Sequence, residues 1–335
     1  MLLQSDLQYE VIASIKKSLI CNQLYPKIRP DISSFIAATS KLPLKNLDSW
    51  EQLICWKISS LLHTHDSKYT KINHYPMGYF SWLDICNANG FIRERALKGL
   101  SGGAPNSFLF SLVVRKLNDW VPQVRDAACD TLLSIAKLSD PEIVVDTLFA
   151  TLPYWDSWGR MGNTEKNILM KVISLDKVAV SLKKRLISAT TGPVVTIFTQ
   201  LGRTDAIDNF LPEIAELSIQ PSLRAKAYRC QFENKFIWVE GRSWLWIDKV
   251  YGIGRLVPVL NERRIGITRP FFENLRMAIS DRSPKVRRIA GEMLIKELDN
   301  MEGEALRLAE ILASDISPSV AERGRYALAI LEKRK

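Results

Sequence analysis

Asp119-Trp120-Val121-Pro122-Gln123-Val124-Arg125-Asp126-Ala127-Ala128 returns later in the chain as Asp281-Arg282-Ser283-Pro284-Lys285-Val286-Arg287-Arg288-Ile289-Ala290. It returns a third time as Asp315-Ile316-Ser317-Pro318-Ser319-Val320-Ala321. The shared pattern is D-x-x-P-x-V-R-x-x-A. Pro221-Ser222-Leu223-Arg224-Ala225-Lys226-Ala227 keeps the proline, the aliphatic residue, the arginine and the alanine. Gly90-Phe91-Ile92-Arg93-Glu94-Arg95-Ala96 keeps the last three. Each part of the pattern has a local cause. Proline suits the first turn of a helix, where its missing N–H costs nothing. The Asp or Ser before it can cap that helix. Beyond the proline, Val286, Ile289, Ala290, Met293 and Leu294 follow the helical i, i+3, i+4, i+7, i+8 spacing. Before Pro318, Ala305, Leu308, Ala309 and Leu312 show the same period. Each unit therefore reads as two antiparallel helices joined by a short Asp/Pro turn. One such pair cannot bury its own apolar face, so the units must stack.

The spacing is regular. Arg93 to Arg125 is 32 residues, and Arg125 to Arg224 is 99, or three steps of 33. Arg224 to Arg287 is 63, read as two steps, and Arg287 to Ala321 is 34. Decayed copies are then expected near residues 158, 191 and 255.

The motif resembles that of the HEAT-repeat family, including its short bacterial members. The resemblance runs over about residues 76–335. It implies an all-α fold, a right-handed α-α superhelix of about seven to nine helix pairs, with an irregular insertion near 234–256. It also implies that the motif's Asp and Arg build a ladder between successive repeats, so Asp119, Arg125, Asp281 and Arg287 would be structural. Residues 1–75 carry helical periodicity at 6–23 and 48–62 without the motif, and are expected to form an N-terminal helical cap or subdomain.

Composition narrows the classes further. The 335 residues are 47% hydrophobic and 24% charged, enough for a large core without disulfides or metals. No run of 18 apolar residues suggests a membrane span. The first residues, with Leu7, Val11, Ile15 and Leu19 stepping by four, read as an amphipathic helix and not as a secretory leader. Cys21, Cys55, Cys86, Cys129 and Cys230 are scattered and odd in number, which suits reduced, buried thiols in a cytoplasmic protein. The net charge of +10 favours acidic proteins or nucleic acid as partners. Its densest stretch, 255–295, holds nine cations against four acids.

Function is expected where the regularity fails. One break is Thr151-Leu152-Pro153-Tyr154-Trp155-Asp156-Ser157-Trp158-Gly159-Arg160. It resembles in part the W-D-x-x-D motif on the concave face of the HEAT-like alkylpurine DNA glycosylases. Gly159 stands where that family has its catalytic carboxylate, so the resemblance implies nucleic-acid binding without glycosylase chemistry. Trp155, Asp156, Trp158 and Arg160 are the candidate groove residues. The second break holds Trp238, Arg242, Trp244 and Trp246, an aromatic and basic set of the kind that dominates binding hot spots. FIWV, a turn at EGRS and WLWI suggest a β-hairpin there, with an irregular helix pair as the alternative. Arg263, Arg264, Arg269, Arg282, Lys285 and Arg288 are expected to add a basic stripe, with Lys285 and Arg288 pointing outward.

No catalytic set, cofactor motif or metal-ligand spacing is recognisable, and His63, His65 and His74 read as polar loop residues. Two functions remain, with no membrane partner in either. The first is a non-catalytic adaptor or regulatory protein that binds a protein partner, an acidic one matching the charge, on its concave surface. The second is a nucleic-acid-binding solenoid. An enzyme using Asp156 or Asp205 in the groove has no supporting spacing.

Overall fold

The computed structural model describes residues 2–24, 31–63, 81–266, 269–301 and 303–333. His65 and His74 lie outside the described residues, as do the side chains of His63 and Cys21. The described chain is mostly helical, with seventeen α-helices and one two-stranded sheet. It gathers into two compact units, residues 1–178 and 179–335.

The first unit holds α1 (Leu2–Leu24), α2 (Ser33–Thr39), α3 (Leu47–His63), α4 (Ser81–Asp84), α5 (Gly90–Lys98), α6 (Ser107–Arg115), α7 (Pro122–Leu138), α8 (Pro141–Thr151) and α9 (Asn163–Ile173). Helix α10 (Asp176–Ser188) begins at the division. The second unit continues with α11 (Val194–Leu201), α12 (Leu211–Leu217) and α13 (Pro221–Glu233). The strands β1 (Lys235–Asp248) and β2 (Ile253–Arg264) follow. Helices α14 (Phe271–Ile279), α15 (Pro284–Glu297), α16 (Glu304–Ala313) and α17 (Pro318–Glu332) complete it.

Helices α7, α13, α15 and α17 begin on the motif prolines, as their chemistry requires. Within the first unit α7 packs between α5 and α9. Within the second, α15 packs between α13 and α17. The periodic apolar residues fill the layer between them: Val286, Ile289, Ala290, Met293 and Leu294 are all buried, as are Ala305, Leu308, Ala309 and Leu312. Residues before 75 differ from the rest in sequence but share the first compact unit with it. Asn106 Nδ2 donates to Ile36 O and Thr39 Oγ1 at 3.1 and 3.0 Å, and Arg115 Nε donates to Glu51 at 2.7 Å.

The motif arginines all do the same two things. Each donates from Nη1 to the carbonyl six residues before it: Arg93 to Asn87, Arg125 to Asp119, Arg224 to Ser218 and Arg287 to Asp281, at 2.8 to 2.9 Å. Each then reaches forward to an acid of a later turn. Arg93 is bidentate to Asp119, Arg224 to Asp281 and Arg287 to Asp315. The acceptor carboxylate also holds its own turn, taking the N–H two residues on: Val121, Ser283 and Ser317 respectively. Buried groups are satisfied in this way, with charge-assisted bonds on both sides. Arg125 departs from the set. Its Nε meets Glu165 at 3.3 Å, and Glu165 accepts the Gly162 N–H at the start of α9.

One expectation about the repeats is corrected. Arg224 pairs directly with Asp281, so the 63 residues from Arg224 to Arg287 are one step and not two. Removing the 30 residues Lys235–Arg264 leaves 33. No decayed helix pair lies near 255; that position is in β2.

A candidate partner-binding ribbon

Strands β1 and β2 form an antiparallel ribbon whose turn lies at residues 249–252. The segment Glu240-Gly241-Arg242-Ser243, expected as the turn, is inside β1. The sequence alternation misleads here because β1 carries an extra residue between Val239 and Gly241. Asp248 accepts the N–H groups of Val250 and Tyr251, and Gly252 has φ +65, a conformation that glycine adopts without strain. Local turn chemistry therefore favours 249–252.

The bulge also sorts the tryptophans. Trp238 is opposite Asn261, while Trp244 is opposite Leu256 and Trp246 opposite Gly254. Positions 261 and 256 of an unbroken strand face opposite ways. Trp238 and Phe236 thus share one face of the ribbon, and Trp244 and Trp246 share the other, although strict alternation would put all four together.

The base of the ribbon is fixed to the helices. Phe236 is buried against Phe198, with ring centroids 5.1 Å apart, and Gly202 leaves room for it: a Cβ there would overlap the Phe236 ring. Arg263 lies over the Phe236 ring, holds Asp208 with both ends of its fork at 2.7 and 2.8 Å, and donates to the carbonyls of Gly202 and Thr204. Trp238 is buried, donates from Nε1 to Glu240 at 2.6 Å, and lies beneath the Arg203 guanidinium. Two residues expected to meet a partner, Trp238 and Arg263, are thus part of the anchor. An aromatic or guanidinium that the protein itself covers cannot also offer its surface.

Beyond the bulge nothing covers the strands. Trp244 and Trp246 are 49% and 48% exposed, and their rings meet edge to face at 5.6 Å. The Trp244 indole lies against the backbone of Gly254, where a Cβ would collide with it, so the pair is held in place by a glycine. Leu245, Ile247, Val250, Tyr251, Ile253, Leu256, Val259 and Leu260 are exposed, Val250 at the tip by 88%. Charge is equally one-sided. Glu240 is engaged by Trp238 and Arg203, Glu262 by Lys235, and Asp248 by the turn. Arg242, Lys249, Arg255 and Arg264 are exposed and make no ion pair or side-chain hydrogen bond within the described chain.

The remaining expected residues are placed as follows. Arg269 is tied to Glu216 and Glu273. Two members of the expected basic stripe, Arg263 and Arg269, are therefore neutralised internally. Arg282 is exposed, with Nη2 3.4 Å from Ser218 O, and Lys285 is exposed and donates to Ser222 Oγ at 2.8 Å. Arg288 is half-buried, its Nε 3.7 Å from Glu292, and does not point freely outward. In the groove set, Trp155 is 1% exposed in a 3-10 turn, so its ring packs in the core and offers no face for a base to stack on. Asp156 and Arg160 are exposed, Trp158 is half-buried, and the Arg160 N–H donates to Asn118 Oδ1. The sequence reading missed the exposed aromatics Phe91, Trp120 and Tyr154; exposure depends on neighbouring turns and leaves no local signal.

Cys86 and Cys230 are buried, and burial raises their thiols well above the ordinary range. Burial also lifts the Asp84 carboxyl to about 7. Among the described residues no three His, Cys, Asp or Glu gather to hold a metal ion. No described helix is long and apolar enough to cross a membrane. No family model matches the chain, and no curated protein matches it.

Proposed function

We propose that the chain is a cytoplasmic HEAT-like solenoid that acts without catalysis, as an adaptor or regulatory protein whose ribbon docks an acidic protein partner. The observation that carries this reading is the distal ribbon, where exposed aliphatic and aromatic side chains adjoin four cations that have no internal partner. Continuous exposed apolar surface of this kind is a feature of protein interfaces. Unpaired Arg and Lys beside it call for carboxylates on the partner. The Arg-to-Asp steps between successive motifs support the solenoid part of the reading. The four described cysteines, all without disulfides, agree with a reducing compartment. Nucleic acid fits the ribbon less well. Phosphates would meet the arginines, but Leu245, Ile247, Ile253, Leu256, Val259 and Leu260 would find no apolar partner on a duplex.

The test is capture of partners from the native extract after nuclease treatment, with the wild type beside the double variants Trp244→Ser/Trp246→Ser and Arg242→Glu/Arg255→Glu. A stoichiometric acidic protein should be retained by the wild type and lost from both variants. Both variants should keep the wild-type melting temperature, because the altered groups are half or more exposed. A partner that both variants retain would move the interface off the ribbon. Nuclease-sensitive nucleic acid in place of protein would overturn the adaptor reading.

A further inference from the structure

Three arginines from three adjacent helices converge on one carboxylate. Arg229 of α13 donates from Nη2 to Glu292 Oε2 at 2.6 Å, and Arg323 of α17 donates from Nη2 to Oε1 at 3.1 Å. Arg288, one turn before Glu292 on α15, stands 3.7 Å from Oε1, beyond hydrogen-bond reach. The four side chains are between 27% and 43% exposed, so solvent reaches all of them. The nearest acid along α13, Glu233, already faces Lys296 at 3.9 Å. Three guanidiniums against one carboxylate leave two positive charges on a patch of the second-helix layer.

The contrast with the ladder is informative. Arg224 uses Nε, Nη1 and Nη2 in five hydrogen bonds within the protein. Arg288 uses none, and its Nε is shielded from solvent without an acceptor. A donor left without an acceptor in this way costs free energy unless something supplies one. Guanidinium forks match tetrahedral oxyanions, which can meet several forks at once. We propose that Arg229, Arg288 and Arg323 form a binding site for a phosphoryl dianion, with Glu292 holding the arginines together in its absence. The inference stands apart from the ribbon and does not depend on it.

The experiment is isothermal titration of the full chain with inorganic phosphate and, separately, with a nucleoside monophosphate, ionic strength held constant with chloride. Saturable binding at one site is expected. Arg288→Gln should weaken it by about tenfold without changing the melting temperature, because a charge-assisted contact is lost and no internal bond is. Glu292→Gln should strengthen it, since the local charge rises by one. Tighter binding of the monophosphate would identify an ester as the ligand, and equal binding the free anion. Absence of saturable binding to either would overturn the site. So would binding that Arg288→Gln leaves unchanged, or a Glu292→Gln protein that loses stability without gaining affinity.

Discussion

The Asp–Arg turns and the distal ribbon use the same residue types to opposite ends. At the turns, Arg93, Arg224 and Arg287 are satisfied on both sides, by a carbonyl of their own turn and a carboxylate of a later one. Their charge is cancelled where it stands. On the ribbon, the acids are occupied by the anchor and the turn, and Arg242, Lys249, Arg255 and Arg264 are left over. Apolar groups divide likewise: those between helices are buried, those beyond the bulge are not. The difference teaches which charges hold the fold and which are available to another molecule. Counting basic residues along the sequence cannot separate the two.

The sharpest way to break the comparison is Arg224→Ala. The side chains of Arg224 and Asp281 are 1% and 7% exposed, so the change leaves a buried carboxylate without its partner. A loss of about 3–5 kcal/mol is expected in urea unfolding, as for other broken buried pairs. A loss below about 1 kcal/mol would show that the pair is not what joins these turns. Gly202→Ala comes next. The new methyl must displace the Phe236 ring from the ribbon anchor, at a cost of about 1–3 kcal/mol by overpacking. Limited proteolysis should cut at the ribbon base sooner than in the wild type; equal cutting would mean that Arg263 anchors it alone.

The smallest effect is one of pH. Arg287 holds the Asp315 carboxyl below its ordinary range, so this carboxyl binds its proton less readily in the folded chain than in the unfolded one. The stability it contributes is complete above about pH 4 and is lost as the pH falls through the depressed value. Asp315→Asn should therefore flatten the acid side of the stability profile measured by urea unfolding. A profile that keeps its acid slope would assign the slope to other carboxylates, such as Asp119.

The helices were readable because their signals are local. Pro122, Pro221, Pro284 and Pro318 each mark a first turn, and a first turn needs no knowledge of the rest of the molecule. Helices at 6–23 and 48–62 were expected and are found at 2–24 and 47–63. Spacing alone could not tell an insertion from a decayed copy, so the step from Arg224 to Arg287 was miscounted. The ribbon was half readable. Its strands are evident in FIWV and WLWI, but the extra residue near Glu240 reverses the alternation and moves the turn. Burial was the least readable property: Trp155 and Trp158 are alike in sequence, yet only Trp155 is fully enclosed. The convergence of Arg229, Arg288 and Arg323 spans 94 residues of chain and has no linear signature.

The ribbon leaves and rejoins the helical chain at one place. Asn234, in the left-handed conformation with φ 51, ends α13, and its carbonyl accepts the N–H of Ile265 at 2.9 Å. Thirty residues thus hang between two neighbours already in hydrogen-bond contact. In evolutionary terms the ribbon is an exchangeable cassette: a lineage can lengthen, delete or replace it, and so change what is recognised, while Arg224 and Asp281 keep their geometry.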